Sequence, residues 1–266
     1  MIRLLVCYFL LLLSQYNSSS FCLSDSITLF QQAPYLIIHT GPYDELILVP
    51  GNFTVPPPSA STPFQIPKKA LRIARIYVSQ RTTTYNGRLN WNIPKHLARF
   101  SFSEPTTSST SSPPQSLKVR VYPPGTSEND GVPPFFACTL TPWRWIPRIP
   151  LNTAYVPMSL MLAQPPCPEA FGRQAAVEAE AQSSVPIDAY DISHKTEDAV
   201  LVGTERWCAI EVKASMGARG CWVEMGNENG DEAGKYWPKG VEPWVSVGAW
   251  MEDGMFEFGE PLEWKL

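Results

Sequence analysis

The sequence predicts a mainly β, antiparallel domain, closed or sandwiched, with one or two helices. Three observations carry that prediction. Proline (27) outnumbers glycine (16), which argues against long helices and for short strands joined by stiff loops. Hydrophobic residues make up 44% and charged residues 17%, enough apolar surface for a sizeable core and too little charge for a disordered chain. Nine Trp and ten Tyr suit a pleated core or an apolar ligand cavity. The 266 residues fit one large β domain or two small ones, and no internal repeat is visible.

Each element follows from local pattern. Residues 35–50 read as two strands broken at Gly41-Pro42, the second starting near Tyr43 and stopping at Pro50-Gly51. Glu45 lies inside that second strand, either on its solvent face or as a buried functional group. Residues 55–67, with five prolines and no charge, form a stiff loop. Leu71 to Ser79 is a strand. Tyr85-Asn86-Gly87-Arg88 carries Asn-Gly, the strongest turn signal in the chain. Pro94 stops a central strand from running through it, so Lys95 sits at a bend after the bulky segment Leu89 to Ile93. Residues 103–116 are a Ser/Thr/Pro loop. Strands resume at Leu117 to Tyr122 and Phe135 to Leu140. Residues 169–184, rich in Ala, Glu and Gln, form a surface helix, and Asp188 to Asp198 is polar and exposed. Ala199 to Val202, Arg206 to Val212 and Gly220 to Met225 read as strands, followed by an acidic loop over 226–234. Short strands then recur around Trp244 to Trp250 and Met255 to Phe258.

The first 20 residues have the layout of a secretory leader: Met1-Ile2-Arg3, an unbroken apolar run from Leu4 to Leu13, then small polar residues. Ten apolar residues are too few to span a bilayer, so no stable membrane span is expected. The competing interpretation is a buried first strand, since Val6, Tyr8 and Phe9 also suit a sheet. The leader makes 1–20 a separate segment, 27–266 the domain and the protein secreted. The alternative is a cytoplasmic protein whose true start lies elsewhere. Asn17-Ser18-Ser19 and Asn52-Phe53-Thr54 fit the glycosylation acceptor pattern and agree with secretion. The six cysteines are irregularly spaced, with no CxxC pair, and indicate neither a disulfide framework nor a zinc site.

Charge narrows the function classes. The net charge of −4 offers no footprint for nucleic acid. Residues 1–150 carry 13 basic and 6 acidic side chains, and residues 151–266 carry 8 and 19. The basic residues are scattered, so the two halves are expected to complement each other. Three histidines, His39, His96 and His194, form no HExxH motif, and no GxSxG elbow or Gly-rich phosphate loop occurs. No cofactor or metal is expected.

Lys95 is the residue with chemistry to offer. Trp91, Ile93, Leu97 and Phe100 surround it in sequence with apolar bulk, and Arg88, His96 and Arg99 bring cations nearby. Desolvation and neighbouring cations both lower an ammonium's pKa, and a neutral amine attacks a ketone to form an imine. The alternative is a surface lysine that snorkels.

Gly87-Arg88-Leu89-Asn90-Trp91-Asn92-Ile93-Pro94-Lys95-His96 resembles the segment around the Schiff-base lysine of acetoacetate decarboxylase. Gly41-Pro42-Tyr43-Asp44-Glu45 resembles the same family's Tyr-x-Glu strand. Gly203-Thr204-Glu205-Arg206-Trp207 and Phe258-Gly259-Glu260-Pro261 resemble uncharacterised fungal members of the superfamily, over roughly residues 35–266 in all. The resemblance implies a closed antiparallel β-barrel or cone with an internal apolar cavity. It implies Lys95 as the Schiff-base lysine, Glu45 as a catalytic pocket carboxylate, and Tyr43, Arg88, Trp91 and His96 as pocket residues. It also implies a small carbonyl or keto-acid ligand, and leaves a homo-oligomer open. Three departures accompany it. His96 stands where the family has its second lysine, no acid occurs between Phe53 and Ser103, and residues 4–40 contain no arginine. Two functions follow as expectations: a Schiff-base lyase acting on a β-keto acid or related carbonyl compound, in fungal specialised metabolism by association, or a non-catalytic barrel that binds an apolar carboxylate or ketone.

Overall fold

Alternation of apolar and polar side chains makes strands the dominant element, and they join one large, mostly antiparallel sheet. The computed structural model describes residues 5–8, 20–25, 43–57, 66–103, 113–155, 161–226, 233–238 and 246–266. In chain order the first half contains β1 (Leu5–Tyr8), β2 (Ser20–Asp25), β3 (Glu45–Val49), β4 (Asn52–Thr54), β5 (Lys69–Leu71), β6 (Arg75–Val78), α1 (Arg81–Trp91), β7 (Lys95–Leu97), β8 (Arg99–Ser103), β9 (Leu117–Tyr122) and β10 (Phe136–Pro142). The second half contains β11 (Ile149–Asn152), β12 (Met161–Gln164), α2 (Arg173–Gln182), α3 (His194–Val200), β13 (Trp207–Met225), α4 (Ala233–Tyr236), β14 (Val247–Phe258) and β15 (Leu262–Trp264).

The 15 strands share one sheet, whose main path runs β4-β5-β12-β13-β14-β1-β2-β3-β6-β7. The long β13 organises it, pairing antiparallel with β10, β11, β12, β14 and β15 along its 19 residues. The expectation of two separate strands here, Arg206 to Val212 and Gly220 to Met225, is corrected. Ser215, Gly217 and Gly220 are weak strand formers, so the middle carried no strand signal. A register shift between Ser215 and Gly217 bends the strand without ending it. The apolar-alternating segment Leu117–Tyr122 forms β9 as expected, burying Leu117, Val119 and Val121 and leaving Lys118, Arg120 and Tyr122 partly exposed.

Three further expectations are corrected. The described residues form four α-helices, not one or two. The Asn86-Gly87 turn does not form, because both residues lie inside α1. A glycine inside a helix costs about 0.5–1 kcal/mol, but the buried stripe Arg81, Thr84, Arg88 and Trp91 recurs at helical spacing, and packing of that stripe prevails. Ala199 and Val200 end α3 rather than starting a strand, and Leu201 and Val202 continue as a buried irregular segment. The acceptor Asn52 is exposed at the start of β4. The first strand expected over 35–40 and the acceptor Asn17 lie outside the described residues. Within the expected leader, Leu5–Tyr8 pairs with both β14 and β2.

The two faces of β6 and β7 divide the apolar interior. Ile76, Val78 and Leu97 join Tyr43, Trp91, Ile210 and Met251 in one cluster. Tyr77 faces the other way, into a cluster with Phe135, Val119 and Leu140. That division decides which side of β7 each candidate residue occupies.

Candidate functional site

Lys95 opens β7 directly after a helix cap. At the end of α1, Asn92 adopts the left-handed conformation, φ 53°, and its N–H donates to the Arg88 carbonyl. That C′-to-C3 bond makes an αL cap with asparagine in the usual glycine position, and the next N–H, of Ile93, donates to the Gly87 carbonyl at 3.0 Å. Pro94 then prevents further helix, and β7 pairs parallel with β6, setting Lys95 beside Ile76. The bend expected at Lys95 is thus a helix-to-strand switch.

The side chain of Lys95 runs inward and is 4% exposed. Its Nζ donates to Glu45 Oε2 at 3.0 Å, to Thr83 Oγ1 at 2.9 Å and to Tyr43 OH at 3.3 Å. An ammonium has three N–H groups, so all three are used. Glu45 opens β3 and Tyr43 lies two residues before it; both side chains reach the amine, while Asp44 between them is half-buried. Glu45 is 5% exposed, which selects the buried alternative over the solvent-facing one.

Thr83 and Gly87 supply the third wall, one helical turn apart on α1. A Cβ on Gly87 would lie 2.8 Å from Lys95 Cδ and 2.9 Å from Cε. The lysine stem therefore passes directly over the helix backbone, and only glycine leaves room for it. Sequence pattern assigned Gly87 to a turn and missed Thr83. The usable signal was the i, i+4 spacing of the two, hidden by the strength of Asn-Gly as a turn dipeptide.

Two opposed effects set the charge of Lys95. Burial pulls its pKa down, but the Glu45 carboxylate, then Tyr43, and the hydrogen bonds to both push it up and prevail, so the amine is held above the ordinary lysine range. The phenol of Tyr43 is pushed up to about 12, by burial first and then by the Glu45 charge, and stays protonated at neutral pH. The resting site is an ion pair closed over by a neutral phenol. The lowered pKa expected for Lys95 from neighbouring cations is corrected, because the nearest charge is an anion.

Arg88 acts on the lysine through the backbone. It is 1% exposed, and its guanidinium donates to the carbonyls of Val202 at 2.9 Å, Lys95 at 3.3 Å and Pro168. Burial lowers its pKa from the ordinary arginine value. It pins the first residue of β7 to the segments around 168 and 202. His96, next along β7, points to the opposite face, with its ring 6.2 Å from Tyr77 and Nδ1 3.4 Å from Glu197 Oε1. It is not brought to the Lys95 amine. Trp91 joins the apolar cluster around Tyr43 and packs 5.7 Å from Phe258.

A cleft of about 330 Å³ lies beside the ion pair, lined by Tyr43, Asp44, Ser79, Ala98, Arg99, Phe100, Tyr190 and Ile192. Tyr43 belongs to both: it lines the cleft and accepts from the Lys95 amine. Among the described residues no group of three His, Cys, Asp or Glu side chains is positioned to hold a metal ion, and no helix is long and apolar enough to cross a membrane. Cys138, Cys167, Cys208 and Cys221 are buried and free.

No family model and no curated protein matches the chain. Solved structures are similar to it over nearly its whole length. The acetoacetate decarboxylase of Legionella pneumophila is 12% identical, with 98% of this chain and 84% of that chain covered and a TM-score of 0.45. An acetoacetate decarboxylase-like enzyme from Sphingomonas wittichii is 11% identical, with 99% and 91% covered and a TM-score of 0.46. The enduracididine biosynthesis enzyme MppR, in its complex with pyruvate, is 11% identical, with 98% and 85% covered and a TM-score of 0.38. Likeness of this degree assigns no residue a role, and the roles rest on the geometry above.

Proposed function

We propose that Lys95 is a Schiff-base lysine and that the protein is a lyase acting on a β-keto acid or a related carbonyl compound. One observation carries this: a fully enclosed amine is held within hydrogen-bond distance of a carboxylate that can take its proton. The raised pKa means that the amine must be deprotonated locally before it can attack. Glu45 is the acceptor. With a carbonyl carbon beside Nζ, the proton passes to Glu45, and the neutral amine forms the new C–N bond. The carbonyl oxygen takes up protons and leaves as water, and the product is a protonated imine next to the regenerated Glu45 carboxylate. A β-carboxylate on that imine leaves as CO₂, and its bonding electron pair passes into the iminium to give an enamine. Protonation of the enamine carbon and hydrolysis of the imine free the product and restore Lys95.

Substrate reaches the amine from the side of Tyr43. Of the three contacts to Nζ, that with Tyr43 is the longest, and Tyr43 is the residue among the three that also lines the cleft. Its displacement opens the amine to the cleft without separating Lys95 from its base.

The closed barrel belongs to the same proposal. β7 and β8 are consecutive and separated by Ala98 alone. Ladder neighbours lead from β7 through β6, β3, β2, β1, β14, β13, β10 and β9 back to β8. That the two ends of this path are one continuous segment supports a closed ring with an enclosed interior.

A second reading has its own observation. An ammonium with all three N–H groups satisfied is also what a structural ion pair requires, and this favours a barrel that binds an apolar carboxylate or ketone without turnover. Carbon dioxide release from acetoacetate separates the two. The lyase predicts release by the native protein and its loss in both Lys95→Arg and Glu45→Gln. Binding of the acid without release, unaltered in Lys95→Arg, contradicts it.

A further inference from the structure

The interior that holds Lys95 contains a second polar group with nothing to bond. Gln164, the last residue of β12, is 0% exposed, and no partner meets either Nε2 or Oε1. Among the described residues it is the one side chain left with two unpartnered polar atoms. Buried amides are almost always hydrogen-bonded, because removal from water without a replacement partner is costly. A fully buried, wholly unpartnered amide marks a place where another molecule supplies the bond.

Its direction follows from register. In the β12–β13 ladder, Gln164 stands opposite Cys208 and Leu162 opposite Ile210. Residues opposite each other in an antiparallel pair share a face. Cys208 and Ile210 belong to the cluster that contains Tyr43 and Trp91, and Leu162 packs against it. Ala163 and Ala209, the alternating positions, face a different cluster. Lys95 stands beside Ile76 and two residues before Leu97, both members of that first cluster. Gln164 and Lys95 therefore face one interior. Trp91 in that interior also has a buried indole N–H without a partner.

We propose that Gln164 recognises the carboxylate of the keto acid whose carbonyl Lys95 engages, with the Trp91 indole N–H as a second donor. The proposal rests on the Schiff-base reading above. The chemistry is complementary. A carboxylate offers only acceptors, and the amide –NH₂ and the indole N–H offer donors. Neither donor carries charge, so selectivity for an acid is gained without adding a further buried cation to Lys95 and Arg88.

Acetoacetate and its methyl ester test this, since they share the ketone and differ at the carboxylate. Each is trapped on Lys95 with borohydride in the native protein, in Gln164→Leu and in Gln164→Asn, and the rates are compared as acid-to-ester ratios. Loss of a hydrogen bond to a charged group is expected to lower the ratio about tenfold or more in Gln164→Leu, while ester trapping stays within about twofold of native. Gln164→Leu is also expected to melt no lower than native, because the amide it removes is unpartnered. Gln164→Asn retains the amide but withdraws it by one methylene, so its ratio falls as well and supplies the result if Gln164→Leu does not fold. A ratio unchanged in the folded variants overturns the proposal and leaves an internal water as the partner of the amide. Trapping of neither compound on Lys95 in the native protein is a different failure: it removes the Schiff-base reading and this inference with it.

Discussion

Gly87→Ala separates the positioning of Lys95 from its presence. The added Cβ would lie 2.8 Å from Lys95 Cδ and 2.9 Å from Cε. Ordinary carbon contacts are about 3.5–4.0 Å, so the stem must shift by about 1 Å. A free lysine would absorb this by a rotamer change. This one is tethered by three bonds of 2.9, 3.0 and 3.3 Å, and a 1 Å displacement takes at least one of them out of range. Two terms oppose each other in stability. Alanine gains about 0.5–1 kcal/mol over glycine in a helix, and overpacking costs about 1–3 kcal/mol. The net destabilisation is between about 0 and 2.5 kcal/mol, and the melting temperature falls by little. Reactivity responds more strongly, since a misplacement of about 1 Å costs on the order of 100-fold. The assay pairs thermal melting with the rate of borohydride trapping of a keto acid. A folded Gly87→Ala protein that traps at the native rate refutes the idea that the helix backbone positions the amine.

Other perturbations probe the same cage. Glu45→Gln removes the main influence that raises the Lys95 pKa and leaves burial to lower it, so the pH above which the amine reacts with a small acylating reagent should move down; an upward shift contradicts the pairing. A lysine whose folded pKa exceeds its unfolded value contributes fully below the unfolded value, about 10.5, and loses that contribution only as pH rises through the folded pKa. Stability attributable to the ion pair should therefore be flat from pH 6 to about pH 10 in urea titrations, and a loss between pH 6 and 8 that Lys95→Met abolishes would argue against it. Thr83→Val keeps shape but removes one acceptor, and is expected to cost about 1–3 kcal/mol by urea unfolding, because an ammonium N–H is left buried without a partner. Arg88→Met takes the guanidinium donor from three carbonyls, those of Val202 and Lys95 buried, and is expected to cost about 3–5 kcal/mol; a loss below 1 kcal/mol would show that the clamp is idle.

The site was partly legible in the sequence because its members sit in two short segments. Glu45 opens β3 two residues after Tyr43, and Lys95 follows Pro94; strand alternation left the direction of Glu45 open, and the resemblance of the two segments is what singled out Lys95 and Glu45. Thr83 and Gly87 escape because Asn86-Gly87 reads as a turn and no motif marks Thr83. Local dipeptide preference is a fraction of a kcal/mol to about 1 kcal/mol, and the burial of Arg88 and Trp91 on the same helix outweighs it. His96 looked like a neighbour of Lys95 because it is next in sequence, but adjacent residues in a strand face opposite ways. Gln164 carried no motif. A glutamine at the end of Met161-Leu162-Ala163 reads as an ordinary strand end until the ladder with Cys208 and its buried amide are seen together. The continuity of β13 was hidden because glycines inside it are held by neighbours on both sides and not by their own propensity.

Reductive trapping on the native protein tests the central claim most directly. The protein is incubated with acetoacetate, reduced with borohydride and digested, and the peptide that carries Lys95 is weighed by mass spectrometry beside the same peptide from Lys95→Arg. The account predicts one reduced adduct, on Lys95, absent from the variant. Unmodified Lys95, or modification spread over surface lysines and unchanged in Lys95→Arg, contradicts it.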